Sequence, residues 1–320
     1  IGVRPDTKLC KDAGIKTGPA GGIQVGQYLQ TSVEDIYAIG DAIEFKNPIS
    51  NQPMTAYLAG PANKQGRIVA NNIADGNKWS YKGSISTAIA KVFDLTVAST
   101  GLAEKTLNTH KIPYLASITH SASHAGYYPD ATPMSIKIQF SPDDGTLLGA
   151  QAVGYDGVDK RIDLLATVLK QGGTIYDLIE IEHAYAPPFS SAKDPVNMAG
   201  FVAENILEKL VYIVHWQEIA NYNPKKDYLL DVRTPYEVQL GTIEGAVNIP
   251  VDELRDRLDE IAKGKRIIVF CAVGLRGYLA CRILMQNGFK EVYNLTGGYK
   301  TYEHAMQDQS NEDIFDDIFI

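Results

Sequence analysis

The chain is poor in cysteine, in tryptophan and in long apolar runs, and it carries no excess of positive charge. Its three cysteines, Cys10, Cys271 and Cys281, are spread over 320 residues. So odd and sparse a set argues against a disulfide framework and for a reducing, cytoplasmic setting. No apolar run approaches the ~20 residues of a membrane-spanning helix, and the N-terminus has no signal-peptide pattern, so no membrane partner is expected. The formal net charge of -8 removes the electrostatic reason to expect a nucleic-acid partner. The chain opens on Ile-Gly-Val-Arg-Pro rather than Met, and the expectation is a piece of something longer. What remains is an ordinary globular composition, 45% hydrophobic and 21% charged, long enough for two or three domains.

Periodicity divides the chain into three stretches. In the first, residues 36–39 (IYAI) read as a short strand ended by Gly40-Asp41. Residues 55–74 read as a helix, which Gly60-Pro61 should break or delay until near Asn63. In the second stretch, residues 88–93, 114–120, 135–140 and 147–153 read as strands, the last two joined by a turn at Asp143-Asp144-Gly145. Helices are expected over 159–171, where Ile162, Leu165, Ala166 and Leu169 recur at helical spacing, and over 197–210. From residue 211 short strands and helices alternate: strands at 228–232, 247–249, 266–270 and 291–295, helices at 251–261 and 278–287. That alternation implies a parallel α/β sheet. The last residues (SNEDIFDDIFI) read as a frayed acidic tail.

The most informative stretch is "VFCAVGLRGYLACR". In a parallel α/β sheet, ligands bind beyond the C-terminal ends of strands, and Cys271 directly follows the strongest strand of the chain. The loop Ala272-Val273-Gly274-Leu275-Arg276-Gly277 leads into a helix. Backbone N–H groups at a helix start and the helix dipole favour negative charge, which stabilises a thiolate. Glycines allow the tight wrap that aims amides at one point, and Arg276 is expected to add a fixed cation facing any anion held there. A buried structural thiol is the plain alternative. For Cys281, inside the following helix, packing is the preferred reading.

These residues resemble a known family. Residues 211–308 are similar to a rhodanese domain on four pieces: Leu230-Asp231-Val232-Arg233 with Glu237; Gly241-Thr242-Ile243-Glu244-Gly245-Ala246-Val247-Asn248-Ile249-Pro250; the Cys271 loop; and Leu295-Thr296-Gly297-Gly298-Tyr299. The resemblance implies that Cys271 accepts a sulfane sulfur as a persulfide, cradled by the amides of Ala272, Val273, Gly274, Leu275 and Gly277. Six residues from Cys271 to Arg276 fit a sulfur atom, whereas phosphatase-like relatives use one more. Persulfide chemistry is therefore favoured over phosphate-ester hydrolysis.

The upstream stretches resemble the pyridine nucleotide-disulfide oxidoreductases. Residues 31–42 (TSVEDIYAIGDA), with Gly2-Val3-Arg4-Pro5-Asp6 and Gln65-Gly66-Arg67, are similar to the second FAD fingerprint of that family. By resemblance Gly40 permits close approach of the cofactor, Asp41 accepts a hydrogen bond from a ribityl hydroxyl, and Tyr57, Leu58 and Ala59 complete the cofactor side. Residues 183–195 (HAYAPPFSSAKDP) place Tyr185 where other branches carry a His acid/base. This points to the branch of coenzyme A disulfide reductases, NADH oxidases and peroxidases. In the coenzyme A disulfide reductases two tyrosines from the partner subunit reach the active-site disulfide. Tyr185 matches one. Tyr127 is preferred over Tyr128 for the other, and Tyr128 reads as a packed surface side chain.

The expected architecture is a mixed α/β and α+β multidomain chain. Residues 1–83 would be the C-terminal part of an FAD-binding domain and 84–210 a dimerisation domain of antiparallel sheet plus helices. Residues 211–308 would be a rhodanese α/β domain with a parallel sheet, followed by a tail over 309–320. The whole resembles the C-terminal part of coenzyme A disulfide reductase–rhodanese fusions. That implies FAD, with only half of its site in this chain, and NAD(P)H and coenzyme A in an intact protein. It implies a homodimer, a sulfane sulfur donor and a thiol acceptor such as coenzyme A persulfide, and no metal. Cys10 is not the redox cysteine that such enzymes carry near their N-terminus. On its own the chain would retain only the sulfurtransferase half-reaction. The alternative is an NADH oxidase whose rhodanese domain binds sulfur or docks a partner.

Overall fold

A computed structural model describes residues 2–309, which form three sheets in chain order. From residue 310 on, the expected acidic tail lies outside the described residues.

The first unit is small. Helix α1 (Lys8–Asp12) is followed by strands β1 (Ile23–Gln24), β2 (Ile43–Lys46) and β3 (Pro53–Met54), and then by helix α2 (Ala59–Asp75). Two expectations need correction. Residues 36–39 make no strand: Tyr37 forms a single bridge with Gln30, and Ile36 and Ile39 stay exposed. Asp35, at φ 61°, turns the chain just before them. The paired and buried strand is β2, one step later, so the 3-10 turn Gly40–Ala42 enters a strand rather than leaving one. Helix α2 begins at Ala59, not near Asn63. Pro61 sits in its first turn, where its missing N–H has no intrahelical partner to lose and its fixed φ suits the helix.

The second unit has an antiparallel sheet of order β4-β5-β8-β7-β6: β4 (Ala88–Val92), β5 (Leu95–Gly101), β6 (Leu115–Ala122), β7 (Pro133–Phe140) and β8 (Leu147–Gly154). Helices α3 (Glu104–Thr109), α4 (Val158–Lys170), α5 (Ile175–Glu180) and α6 (Pro195–Leu207) accompany it. Ile162, Leu165 and Leu169 of α4 and Val196, Ala199 and Ala203 of α6 are buried with Ile136, Ile138 and Phe140 of β7. Each large apolar side chain so buried contributes roughly 1.5–3 kcal/mol. Strand β5 was not read from the sequence, because LTVASTG mixes small and polar residues; its pairing on both edges makes it a strand.

The third unit is a wholly parallel sheet of order β11-β10-β12-β13-β9: β9 (Tyr212–Val214), β10 (Asp227–Asp231), β11 (Val247–Asn248), β12 (Arg266–Phe270) and β13 (Val292–Leu295). Its helices are α7 (Trp216–Ile219), α8 (Pro235–Gln239), α9 (Leu275–Gln286) and α10 (Gly298–Gln309). Ile267 to Phe270 of the central strand are all buried, as expected of a strand covered on both faces. The helix expected over 251–261 is instead two 3-10 turns, Leu254–Asp256 and Leu258–Glu260. Only Leu254 and Ile261 of that stretch are buried, and Arg257 ties the exposed side to Glu253 and Glu260. Two apolar anchors seven residues apart hold the ends without demanding a continuous helix.

Candidate functional site

Cys271 leaves the C-terminal end of β12 and is almost fully buried. Three residues on, Gly274 turns the chain at φ 118°, a region that disfavours any side chain, and caps α9. Its N–H donates to Cys271 Sγ at 3.1 Å. The carbonyls of Cys271 and Ala272 accept from the N–H groups of Tyr299 and Lys300, at 2.8 and 3.0 Å. On the other side, Asn294 Nδ2 of β13 donates to the Gly274 carbonyl at 3.1 Å. Gly277 lies so close to Asn294 that a Cβ there would collide with Oδ1. The loop is therefore braced from two neighbouring segments. Ala272, Val273, Gly274, Leu275 and Gly277 all lie in it, with Leu275 exposed at the rim.

Arg276, expected as a fixed cation facing the cradle, is paired with a carboxylate. Its Nη1 and Nη2 bind both carboxylate oxygens of Glu237, at 2.7 and 2.6 Å. The guanidinium holds the Glu237 carboxyl down to about 2, and the backbone and hydroxyl of Thr234 add to the effect. Glu237 raises Arg276 in turn, and Cys271 contributes a smaller part through its charge and a hydrogen bond. Arg276 thus lies near the thiol with its charge offset by a carboxylate. The Glu237 carboxylate also closes the capping box of α8 with Thr234, so it is held from two sides. Beside it, Arg233 pairs with Asp231 in a fully buried site and stacks over Tyr299, 4.2 Å from the ring centroid. Asp231, Arg233 and Glu237 enter the sequence reading only as pieces of a motif; their pairing carries no local sequence signal. Cys281 is buried in α9, and desolvation pushes its thiol up, so packing is its role.

In the second unit Tyr127 and Tyr185 meet on the surface, hydroxyl to hydroxyl, at 3.3 Å. Both rings are exposed. Their segments are tied together behind them: Ala125 N–H donates to Ser190 O at 3.0 Å. Buried Arg161 donates to Ser123 O at 2.9 Å and pairs with buried Asp194 at 2.9 Å. Asp194 also accepts from Ser190 Oγ at 2.6 Å. The sequence reading missed Arg161, Ser190 and Asp194, since nothing local marks a buried arginine. Tyr128 packs edge-on against His124, apart from the pair. The His183 side chain is tucked beside Asp194, and desolvation lowers its pKa. It is Tyr185 that presents a group to solvent.

In the first unit Gly40 stands at φ 76°, with its N–H bound to the buried Gln65 Oε1 at 2.6 Å. The Gly40–Ala42 turn packs against α2. Asp41 and Tyr57 are exposed, Leu58 is the N-cap of α2 and Ala59 its first residue. An exposed carboxylate, a glycine turn and first-turn helix amides suit one edge of a polyhydroxylated, phosphate-bearing cofactor such as FAD. Among the described residues, no group of three His, Cys, Asp or Glu is placed to hold a metal, and no helix is long and apolar enough to cross a membrane.

Comparison with known proteins extends this picture. Residues 1–62 match the family described as pyridine nucleotide-disulphide oxidoreductase, and residues 87–195 match its dimerisation domain. Residues 215–305 match the rhodanese-like domain. A coenzyme A disulfide reductase of Staphylococcus haemolyticus is 36% identical over 206 residues, which cover 64% of this chain and 46% of that protein. The chain thus spans about half the length of the curated relatives it matches. Among solved structures, reduced CoADR-RHD of Bacillus anthracis is 49% identical, with a TM-score of 0.93, over 96% of this chain and 55% of that one. A NAD-dependent persulfide reductase from A. fulgidus is 39% identical, with a TM-score of 0.84, over 93% of this chain and 54% of that one.

Proposed function

We propose, on the premise that this chain belongs to the pyridine nucleotide-disulphide oxidoreductases and carries a rhodanese-like domain, that it serves a reductase of coenzyme A disulfide, persulfide or polysulfide in which Cys271 carries the sulfane sulfur. The observation that carries the reading is the Gly274 N–H donating to Cys271 Sγ at the end of a parallel strand. In the first step the Cys271 thiolate attacks the outer sulfur of a donor R–S–S⁻. A new S–S bond forms on Cys271, the donor's S–S bond breaks, and R–S⁻ leaves with the electron pair. No net oxidation occurs. The loop amide and Arg276 stabilise the thiolate and the persulfide that replaces it.

The reductive step consumes a persulfide and a reduced nicotinamide: RSSH, NAD(P)H and a proton give RSH, H₂S and NAD(P)⁺. FAD, when bound, supplies the relay of two electrons between nicotinamide and sulfur. Gly40, Asp41, Tyr57, Leu58 and Ala59 would hold one edge of it. Tyr127 and Tyr185 would stand at the disulfide site of a partner subunit in a homodimer. The hydrogen bond between Tyr185 and Tyr127 raises Tyr185, so its hydroxyl keeps its proton at neutral pH and can donate to a departing thiolate.

The test is mass spectrometry of the chain after treatment with polysulfide. Wild-type protein should gain one sulfur atom at Cys271, and Cys271→Ser should not. No gain at Cys271, or an equal gain in Cys271→Ser, would overturn the reading.

A further inference from the structure

We propose that His120, acting through Thr301, positions the Cys271 loop, so that the antiparallel unit sets the geometry of the sulfur cradle in its neighbour; this rests on the reading of Cys271 as the sulfur carrier.

Strand β6 runs along the segment 296–301. Ile118 N–H donates to Thr296 Oγ1 at 3.0 Å, and Ile118 Cγ2 lies 3.0 Å from where a Cβ on Gly297 would stand. His120 Nε2 is 2.8 Å from Thr301 Oγ1, and His120 Nδ1 is 2.8 Å from Ser135 Oγ. The Thr301 hydroxyl donates to Gly297 O at 3.1 Å. Its one proton is committed there, so His120 Nε2 must be the donor to Thr301. His120 Nδ1 then accepts from Ser135. In a ring kept neutral by burial, this pattern corresponds to the Nε2–H tautomer. Burial, with Lys300 and His304 nearby, pushes its pKa down to about 4, which agrees with that assignment.

The segment so clasped is the one that holds the sulfur loop. Tyr299 and Lys300, between Gly297 and Thr301, donate their N–H groups to the carbonyls of Cys271 and Ala272. Gly297 and Gly298 stand at φ 73° and 60°, and a Cβ on Gly298 would strike the Cys271 carbonyl and Ala272. The turn is flush against the loop, so a displacement of Thr301 reaches Cys271 through two backbone hydrogen bonds. Other polar contacts between the two units fall elsewhere: Tyr278 Oη donates to Asn205 Oδ1 at 3.3 Å, and Arg282 Nη1 to Leu210 O at 2.8 Å, both from α9. Loss of the His120 contact therefore leaves other docking contacts in place.

The experiment compares wild type, His120→Ala, His120→Gln, Thr301→Val and Tyr278→Phe in the 320-residue chain, below the melting temperature of each. Two quantities are read at Cys271: the pH midpoint of its alkylation by iodoacetamide, and its rate of sulfur uptake from glutathione persulfide. A role confined to stability would lower melting temperature without moving the midpoint in folded protein. His120→Ala and Thr301→Val should raise the midpoint by about half a pH unit and slow uptake roughly threefold to tenfold. His120→Gln, which keeps an N–H at the position of Nε2, and Tyr278→Phe, which removes only a docking contact, should stay within about twofold of wild type. Unchanged midpoints in His120→Ala and Thr301→Val, or an equal shift in Tyr278→Phe, would overturn the proposal. Failure of wild type to take up sulfur would instead sink the reading of Cys271, while the alkylation midpoints still decide the role of His120.

Discussion

Arg276 and Glu237 meet in a two-pronged ion pair, 39 residues apart in sequence, beside the loop that holds Cys271. On the proposed reading, the pair sets how much positive charge the thiol and an incoming sulfur donor feel. A guanidinium shared with a carboxylate attracts a dianion less than a free one does.

Glu237→Gln should release that charge. The pH midpoint for Cys271 alkylation is expected to fall, and uptake of sulfur from thiosulfate should rise about threefold to tenfold relative to uptake from the net-neutral cysteamine persulfide. Arg276→Gln should move both the other way. A donor ratio unchanged in Glu237→Gln would mean that the carboxylate does not tune the site.

Two windows of acid sensitivity follow from His120 and Glu237. His120 is lowered from 6.5 to about 4 in the folded chain. Between those values the unfolded chain binds the proton and the folded one does not, so stability is full above pH 6.5 and declines as pH falls toward 4. Glu237 is lowered from 4.5 to about 2, so its contribution is full above pH 4.5 and is lost as pH falls through 2. Melting temperature measured against pH should fall less steeply in the upper window for His120→Gln and in the lower window for Glu237→Gln. Slopes identical to wild type in both variants would contradict these assignments.

On the proposed reading, the tyrosine pair is tested in a protein that carries these residues together with a complete flavin and nicotinamide site. Tyr185→Phe removes a proton donor placed 3.3 Å from Tyr127 and is expected to lower kcat with a coenzyme A disulfide or persulfide by roughly tenfold to a hundredfold. Tyr127→Phe should lower it less, because Tyr185 keeps its hydroxyl. Tyr128→Phe, packed on His124, should change nothing. Steady-state turnover measured with NAD(P)H consumption distinguishes these outcomes, and equal losses in all three would point to a packing effect.

Asp194 joins the two tyrosine-bearing segments through Arg161 and Ser190. Asp194→Ala strands a buried guanidinium and should cost about 3–5 kcal/mol in chemical denaturation. Replacing both charges, Arg161→Met with Asp194→Leu, should recover part of that loss, since no unpaired charge remains. A double variant as unstable as Asp194→Ala would show that the pair contributes more than mutual compensation.

Much of this protein was legible because its signals are contiguous. Strand β12 is a continuous apolar run, and Cys271, Gly274, Arg276 and the start of α9 follow one another within six residues, so strand, loop and helix start could be read in one pass. The alternation in residues 135–153 and the spacing of Ile162, Leu165 and Leu169 encode burial in the same local way. Residues 36–39 and 251–261 show where that logic stops. An apolar tetrapeptide becomes a strand only if a partner edge is present, and an amphipathic stretch becomes a helix only if its whole face has something to pack against. The charge state of the site was less legible still. Pairing of Arg276 with Glu237, of Gly277 with Asn294 and of His120 with Thr301, 181 residues away, depends on which elements the parallel and antiparallel sheets place side by side. The sequence determined that Cys271, a glycine loop and Arg276 stand together at a strand end, because loop length and residue type are local. The tertiary structure decided which charges those residues feel and what holds them, because electrostatic and hydrogen-bond partners are set by distance in space.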